Sequence, residues 1–316
     1  MTEPHRRIET PESLGGERLD RALSLLTGES RSVTARMVSE GSVIVDGERA
    51  LAGSQRLHPG TVIELVASHA SQMQAVRAPG EVSLDVLHVD REVVVVNKPS
   101  GVVTHPGSGH PHGTLADALW SRYPEMAHLG EPGRGGIVHR LDRGTSGVLV
   151  CARSAEAYES LASQLSRRLV RRVYAALARG VASSPTGTID APIGRDPANR
   201  TRMAIRADGR PALTHYRVVE AFTHPTETLL LRCRLETGRT HQIRVHLASI
   251  GLPLLGDLTY GVADPFGIGR PLLHAYELEF RHPSEGTEMS FVAPIPEDFA
   301  GALRAFGSDP QVLITS

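Results

Sequence analysis

His139-Arg140-Leu141-Asp142-Arg143-Gly144-Thr145-Ser146-Gly147 sets one carboxylate between two guanidinium groups and follows it at once with glycine and small hydroxyl residues. Ile137-Val138 leads into this stretch and Val148-Leu149-Val150 leads out, so it reads as a tight loop between two apolar strands. A loop carboxylate held by a rigid scaffold is a common way to present a reactive group. Flanking arginines favour its ionised form. On pattern alone, an Asp that caps a turn and pairs with an Arg fits equally well.

The surroundings of the loop are basic although the chain is not. The 316 residues carry a formal net charge of -1, yet residues 131–245 hold 19 Arg against 10 Asp plus Glu, an excess of nine. A basic block inside a neutral chain is the footprint of a polyanion partner. Lys98 is the one lysine among 34 basic residues. Cys151 and Cys233 lie in apolar, strand-like sequence without metal-ligand spacing and read as small buried hydrophobes of a reducing compartment. No apolar run reaches the length of a membrane span, and the polar stretch 1–11 has no signal-peptide core. A cytoplasmic location is expected.

Residues 1–12 read as a disordered lead. Residues 13–67 read as a small module of two helices followed by strands. Leu19, Leu23 and Leu26 share one face of the first helix, Ser30-Arg31-Ser32 signals the start of a second, and Asp46-Gly47 is a hairpin signal. Residues 68–79 read as a linker, 80–306 as a large domain and 307–316 as a C-terminal tail. In the large domain short β-rich runs recur around a few helices, among them 93–97, 148–152, 173–178, 214–220 and 228–235. This pattern predicts an α+β domain with a large, mostly antiparallel sheet. One helix is placed by Ser154 as N-cap, with Tyr158, Leu161, Leu165 and Leu169 at helical spacing and Arg167, Arg168, Arg171 and Arg172 crowding its far end. That arginine cluster is also suited to gripping phosphate.

Three motifs occur in order: Val94-Val95-Val96-Asn97-Lys98-Pro99-Ser100-Gly101-Val102-Val103-Thr104-His105-Pro106, the Asp142 loop, and Leu235-Glu236-Thr237-Gly238-Arg239-Thr240-His241-Gln242-Ile243-Arg244-Val245-His246-Leu247. Together they resemble the RluA/RluD-type RNA pseudouridine synthases, over nearly the whole chain. The 13–67 module resembles the αL-type RNA-binding module named after a small-subunit ribosomal protein. Its six Arg against seven acids from Leu14 to Leu65 leave RNA contact to a stripe such as Arg31 and Arg36.

The resemblance implies a pseudouridine synthase fold with its cleft across the middle of the sheet, and Asp142 as the catalytic aspartate. It implies Arg244 as the cation partner of Asp142, Tyr174 as the ring that stacks on the target uracil and whose hydroxyl handles the C5 proton, and Arg140 as a support of the loop linked to opening the RNA stack. Helical geometry agrees for Arg244, with Thr240 read as N-cap, Gly251 past the helix end, and Ile243, Leu247 and Ile250 on the buried face. Alternation puts Tyr174 and Ala176 on one face of a strand. RNA-contact candidates are Arg31, Arg36, Lys98, His105, Arg167, Arg168, Arg171, Arg172 and Arg239; for Lys98 and His105 a structural role beside the cleft weighs equally.

Breaking C1′–N1, turning the uracil and joining C1′ to C5 needs neither redox chemistry nor phosphate transfer, so no cofactor and no metal is expected. The chain carries no phosphate-loop or dinucleotide fingerprint: Gly133-Arg134-Gly135-Gly136 lacks a following Gly-Lys-Ser/Thr, and the His105–His112 stretch lacks thiols. The match to the RluD branch implies uridines of large-subunit ribosomal RNA, in the helix 69 loop, with the assembled large subunit as partner and a monomeric enzyme. Two alternatives stay open: a sister synthase acting on another ribosomal site or on tRNA, and an RNA-binding assembly factor whose catalysis is dispensable.

Overall fold

The computed structural model describes residues 6–27, Thr34, Val38, 43–50, 52–65, 82–107, 110–130, 133–199 and 201–315. The chain forms two units, Met1–Gly80 and Glu81–Ser316. Arg31 and Arg36, the RNA-contact candidates of the first unit, lie outside the described residues, as does the linker expected at 68–79.

In the first unit, α1 (Leu19–Thr27) presents Leu19, Ala22 and Leu23 to a core with Val43, Val45 and Ile63. The sheet has the order β1 (Arg6–Glu9), β4 (Val62–Leu65), β2 (Val43–Val45), β3 (Glu48–Arg49), with Asp46-Gly47 turning between β2 and β3. The lead expected to be disordered therefore contains a strand: Arg6–Glu9 pairs antiparallel with β4, which meets its backbone hydrogen-bonding needs.

The second unit is built on a nine-stranded sheet. Its path runs β5 (Asp85–Val89), β6 (Val93–Lys98), β7 (Ser146–Ala152), β14 (Leu273–Arg281), β8 (Arg171–Arg179), β13 (Thr228–Leu235), β12 (Leu213–Phe222), β9 (Thr186–Asp190), and β15 (Glu288–Val292) pairs with β14. β10 (Ile193–Arg195) and β11 (Met203–Ile205) form a separate ribbon. Among the sheet's pairs, β7 with β14 alone is parallel. Because β7 is covered on both faces, its residues form a continuous small and apolar run instead of alternating. At Gly147, φ is +118° and an added Cβ would lie 2.1 Å from the Ala275 carbonyl oxygen, so close pairing in mid-sheet requires glycine there.

Strand alternation divides the core. Val94, Val96, Leu149, Tyr174, Leu231 and Cys233 face one way. Val93, Val95, Val148 and Val150 face the other way and pack on Ala157 and Leu161 of α3 (Ala155–Ser166), while Ala175 and Leu177 pack with Phe299 and Leu303 of α5 (Glu297–Ala305). α2 (Leu115–Arg122) and α4 (Gln242–Ser249) cover the Tyr174 face. Both cysteines are free and buried. The segment expected as a tail joins this core instead: Leu313, in α6 (Val312–Thr315), is fully buried against the α5 cluster.

Three local expectations change. Ile137-Val138 makes a single bridge, Ile137 to Cys151, and no strand. Ser154 caps α3 as expected, accepting from the Ala157 N–H at 3.0 Å, but α3 ends at Ser166. Arg167 is then the cap residue, Arg168 turns the chain with φ +60°, and Arg171 and Arg172 begin β8 on opposite faces. At α4 the cap is His241, not Thr240, with φ +57°, and Ile250 is exposed just past the helix end. No described helix is long and apolar enough to cross a membrane.

Candidate active site

The Asp142 loop is clamped by the upstream motif. Thr104 Oγ1 donates to the Leu141 carbonyl at 2.8 Å and accepts from the Leu141 N–H at 3.2 Å. Gly101 N–H donates to the Arg143 carbonyl at 2.7 Å, and Arg143 Nε donates back to the Gly101 carbonyl at 3.0 Å. Arg143 is thus occupied away from Asp142, and Arg140 is exposed on the cavity wall. The contact to the carboxylate comes from α4, where the resemblance put Arg244 as its cation partner.

Arg244, near the start of α4, donates through Nη1 to Asp142 Oδ2 at 3.2 Å. Its other edge forms a fork with Asp257, Nε to Oδ2 at 2.6 Å and Nη2 to Oδ1 at 2.8 Å. Burial works against the Arg244 charge, but hydrogen bonds and charges from Asp257 and Asp142 outweigh it and raise its pKa above the ordinary guanidinium value. Asp257 also accepts from the N–H groups of Thr259 and Tyr260 at 2.9 and 3.2 Å. The Tyr260 ring lies 5.0 Å from the Arg244 guanidinium carbon, and its hydroxyl shares a 2.8 Å hydrogen bond with His241 Nδ1. His241 Nε2 stands 3.9 Å from Asp142 Oδ2. Burial lowers the pKa of this imidazole, against the pull of Asp142.

The downstream motif owes its shape to Gln242. Its Oε1 accepts from Thr237 Oγ1 at 2.8 Å and from the Arg239 N–H at 3.0 Å, while Nε2 donates to the Leu213 carbonyl and to Thr214 Oγ1, both at 3.0 Å. This ties the turn before α4 to β12 and places Arg239 and His241 on the cavity rim.

The cavity measures about 590 Å³. It brings together Asp142, Tyr174, Arg244 and Arg140, and also His105, Arg168, Arg172 and Arg239. Burial pushes the Tyr174 phenol up to about 12; Arg172 opposes the shift and Asp142 adds to it. The remaining candidates stand elsewhere. Lys98 is wholly buried and donates to the carbonyls of Pro99 and Val102, both at 2.8 Å, so it braces the upstream motif. Burial brings it down to about 7, against the opposing charge of Asp142. Arg167 is exposed at the end of α3 and does not line the cavity. Arg171 is on the far face of the sheet, paired with Glu277 and Glu279. Asp257, Tyr260, His241 and Thr104 were not singled out from the sequence. Asp257 and Tyr260 sit in a loop without periodicity, whereas His241 and Thr104 lay inside quoted motifs and were open to notice. Among the described residues no group of three or more His, Cys, Asp or Glu could hold a metal ion.

A carboxylate and a tyrosine lining one arginine-rich cavity suit an enzyme that acts on a nucleic acid. Comparison with known proteins gives the family. Residues 92–249 match the family model described as RNA pseudouridylate synthase, and residues 17–63 match the S4 domain. The chain is 43% identical over 313 residues to "Ribosomal large subunit pseudouridine synthase D" of Nitrosomonas europaea, covering 96% of this chain and 88% of that one. It is 46% identical over 301 residues to an "Uncharacterized RNA pseudouridine synthase" of Chloroflexus aurantiacus, covering 95% and 93%. Among solved structures, "Human RNA Pseudouridylate Synthase Domain Containing 1" aligns with a TM-score of 0.53 at 28% identity, over 73% of this chain and 98% of that one. The chain belongs to the RNA pseudouridylate synthase family and is an RNA pseudouridine synthase.

Proposed function

We propose that this enzyme converts uridines of large-subunit ribosomal RNA to pseudouridine, in the helix 69 loop, with Asp142 as the catalytic residue. The target reading is supported by near-full-length similarity to relatives named for the large ribosomal subunit. The observation that carries the catalytic reading is the Asp142–Arg244–Asp257 chain at the base of the cavity: one carboxylate free to react, held by a guanidinium that a second, buried carboxylate locks in place.

A uridine stacked in RNA is out of reach until it is flipped, at a cost of a few kcal/mol. The exposure of Arg140 on the cavity wall supports it as the side chain that fills the vacated space. With the uracil on the Tyr174 ring, Asp142 either bonds to C1′ as N1 leaves or removes the C2′ proton to give a glycal-like intermediate. Arg244 stabilises the ionised carboxylate for either route. After the base turns and C1′ bonds to C5, the C5 proton must be taken up. Tyr174 is a poor acceptor because its phenol stays protonated. The released carboxylate and the His241 imidazole are the basic groups at hand.

The test is a map of pseudouridines in all RNA of a strain lacking the gene, by carbodiimide-dependent reverse-transcription stops, with wild type and Asp142→Asn supplied in turn. Stops lost in the helix 69 loop, restored by wild type and not by Asp142→Asn, are the expected result. Loss at another RNA would move the target. Growth and subunit assembly restored in full by Asp142→Asn would favour the assembly role.

A further inference from the structure

Arg172 lies two residues before Tyr174 on β8, so its side chain faces the same cavity. It is 7% exposed. Nη2 reaches the Glu236 carbonyl at 3.3 Å, and Nε is buried with no hydrogen-bond partner. A buried guanidinium N–H without an acceptor is costly and calls for one. Gly238 makes room for the group: a Cβ there would lie 2.7 Å from Arg172 Nη1.

The charge of Arg172 is not cancelled nearby. Among the described residues, neither Arg172 nor its cavity neighbours Arg210 and Arg239 forms an ion pair, and Arg239 spends Nε on the Pro211 carbonyl at 3.0 Å. Arg168 has Glu236 at 3.3 Å, but that carboxylate is shared with His215 and Arg234. The crowding registers electrostatically: burial first, then the charges of Arg210, Arg168 and Arg172, lower the pKa of Arg239. Burial likewise pulls Arg172 below the ordinary guanidinium value, though an arginine stays charged.

We propose that Arg172, with Arg168, Arg210 and Arg239, forms a subsite for one RNA backbone phosphate, that of the nucleotide bond flanking the target uridine. This rests on the reading that the uridine sits at Asp142 and Tyr174. A neutral uracil carbonyl needs one donor, whereas several uncompensated guanidiniums in a partly closed cavity match a full negative charge. The position fits as well: Arg172 is one strand repeat, about 6.6 Å, beyond Tyr174, within a nucleotide's reach of the ring. Holding the flanking phosphate keeps the ribose over Asp142 while the uracil is detached and turning.

The experiment uses the full chain and a synthetic hairpin carrying the uridine that the wild-type enzyme modifies, labelled with tritium at C5. Each phosphate near that uridine is replaced in turn by a neutral methylphosphonate. For the wild type, one flanking replacement is expected to lower single-turnover kcat/KM by about tenfold or more, the scale of a charge-assisted hydrogen bond. Arg172→Gln is expected to show a similar loss on native RNA and less than about a twofold further loss with that same methylphosphonate. Losses that multiply, or an Arg172→Gln enzyme as fast as wild type, overturn the subsite. Thermal unfolding checks that Arg172→Gln is folded; if it is not, Arg239→Gln, at a less buried position, takes its place in the same cycle. Wild type that releases no tritium from any cellular RNA overturns the underlying reading instead, and the subsite with it.

Discussion

At the Asp142 end of the cleft Arg244 is held between two carboxylates, whereas at the Arg172 end the guanidiniums crowd together with few carboxylates to balance them. β8 shows the same contrast between adjacent residues. Arg171 turns to the far face and meets Glu277 and Glu279; Arg172 turns to the cavity and meets a single carbonyl. A paired arginine has its charge already engaged by a carboxylate of the protein. An unpaired one is a binding element, since the charge remains available to a ligand. Residue type does not separate the two roles; surroundings do.

The most severe way to strain this comparison is at Asp142, the proposed catalytic residue. Asp142→Asn is expected to lower single-turnover tritium release by at least about 1000-fold, as for removal of a reacting side chain, while leaving RNA affinity in a filter-binding assay nearly unchanged. A loss confined to affinity would make Asp142 a binding residue. Next is the paired scaffold. Asp257→Ala removes the fork from a buried guanidinium and is expected to destabilise the second unit by about 3–5 kcal/mol in urea unfolding. Arg172→Gln probes the opposite end: unfolding stability should shift by less than about 1 kcal/mol, because no ion pair is lost, even as kcat/KM on RNA falls. Destabilisation as large as that of Asp257→Ala would place Arg172 in the scaffold.

Acid sharpens the same contrast. Burial works to raise the Asp257 pKa, but the Arg244 hydrogen bonds and charge and two backbone N–H groups outweigh it, so the folded value lies below the ordinary 3.8. The group therefore adds stability that is complete above about pH 4 and is lost as pH falls through the lower folded value. Across that window urea midpoints of the wild type should fall more steeply than those of Asp257→Ala. Equal slopes would show that the fork contributes no such linkage. The smallest effect belongs to Arg171→Gln on the solvated face: under about 1 kcal/mol in stability, with tritium release unchanged. A loss of activity there would erase the distinction between the two faces of β8.

Much of the candidate site was legible in linear sequence, because Asp142 and Arg244 sit in short contiguous motifs that resemble those of the family and Tyr174 sits on a strand of readable alternation. Asp142 follows an Arg-Leu pair before a glycine turn, Tyr174 falls on an alternating strand, and Arg244 falls one turn into a helix. The runs 93–97 and 148–152 likewise announced strands, the second of which begins two residues earlier, at Ser146. Local signals misled where a single backbone angle decided the outcome: the α4 cap moved from Thr240 to His241, in the left-handed region, and α3 stopped before the arginines meant to end it.

Folding settled the pairings. Arg244 reaches Asp142 across 102 residues of chain, and Thr104 reaches Leu141 across 37. Asp257 comes from a loop whose residues carry no periodic signal. Periodicity and turn chemistry act over a few residues and can be read along a chain. Which carboxylate meets which guanidinium, and which arginine is left without one, depends on strand register and burial. Those become defined when distant segments close over the same sheet.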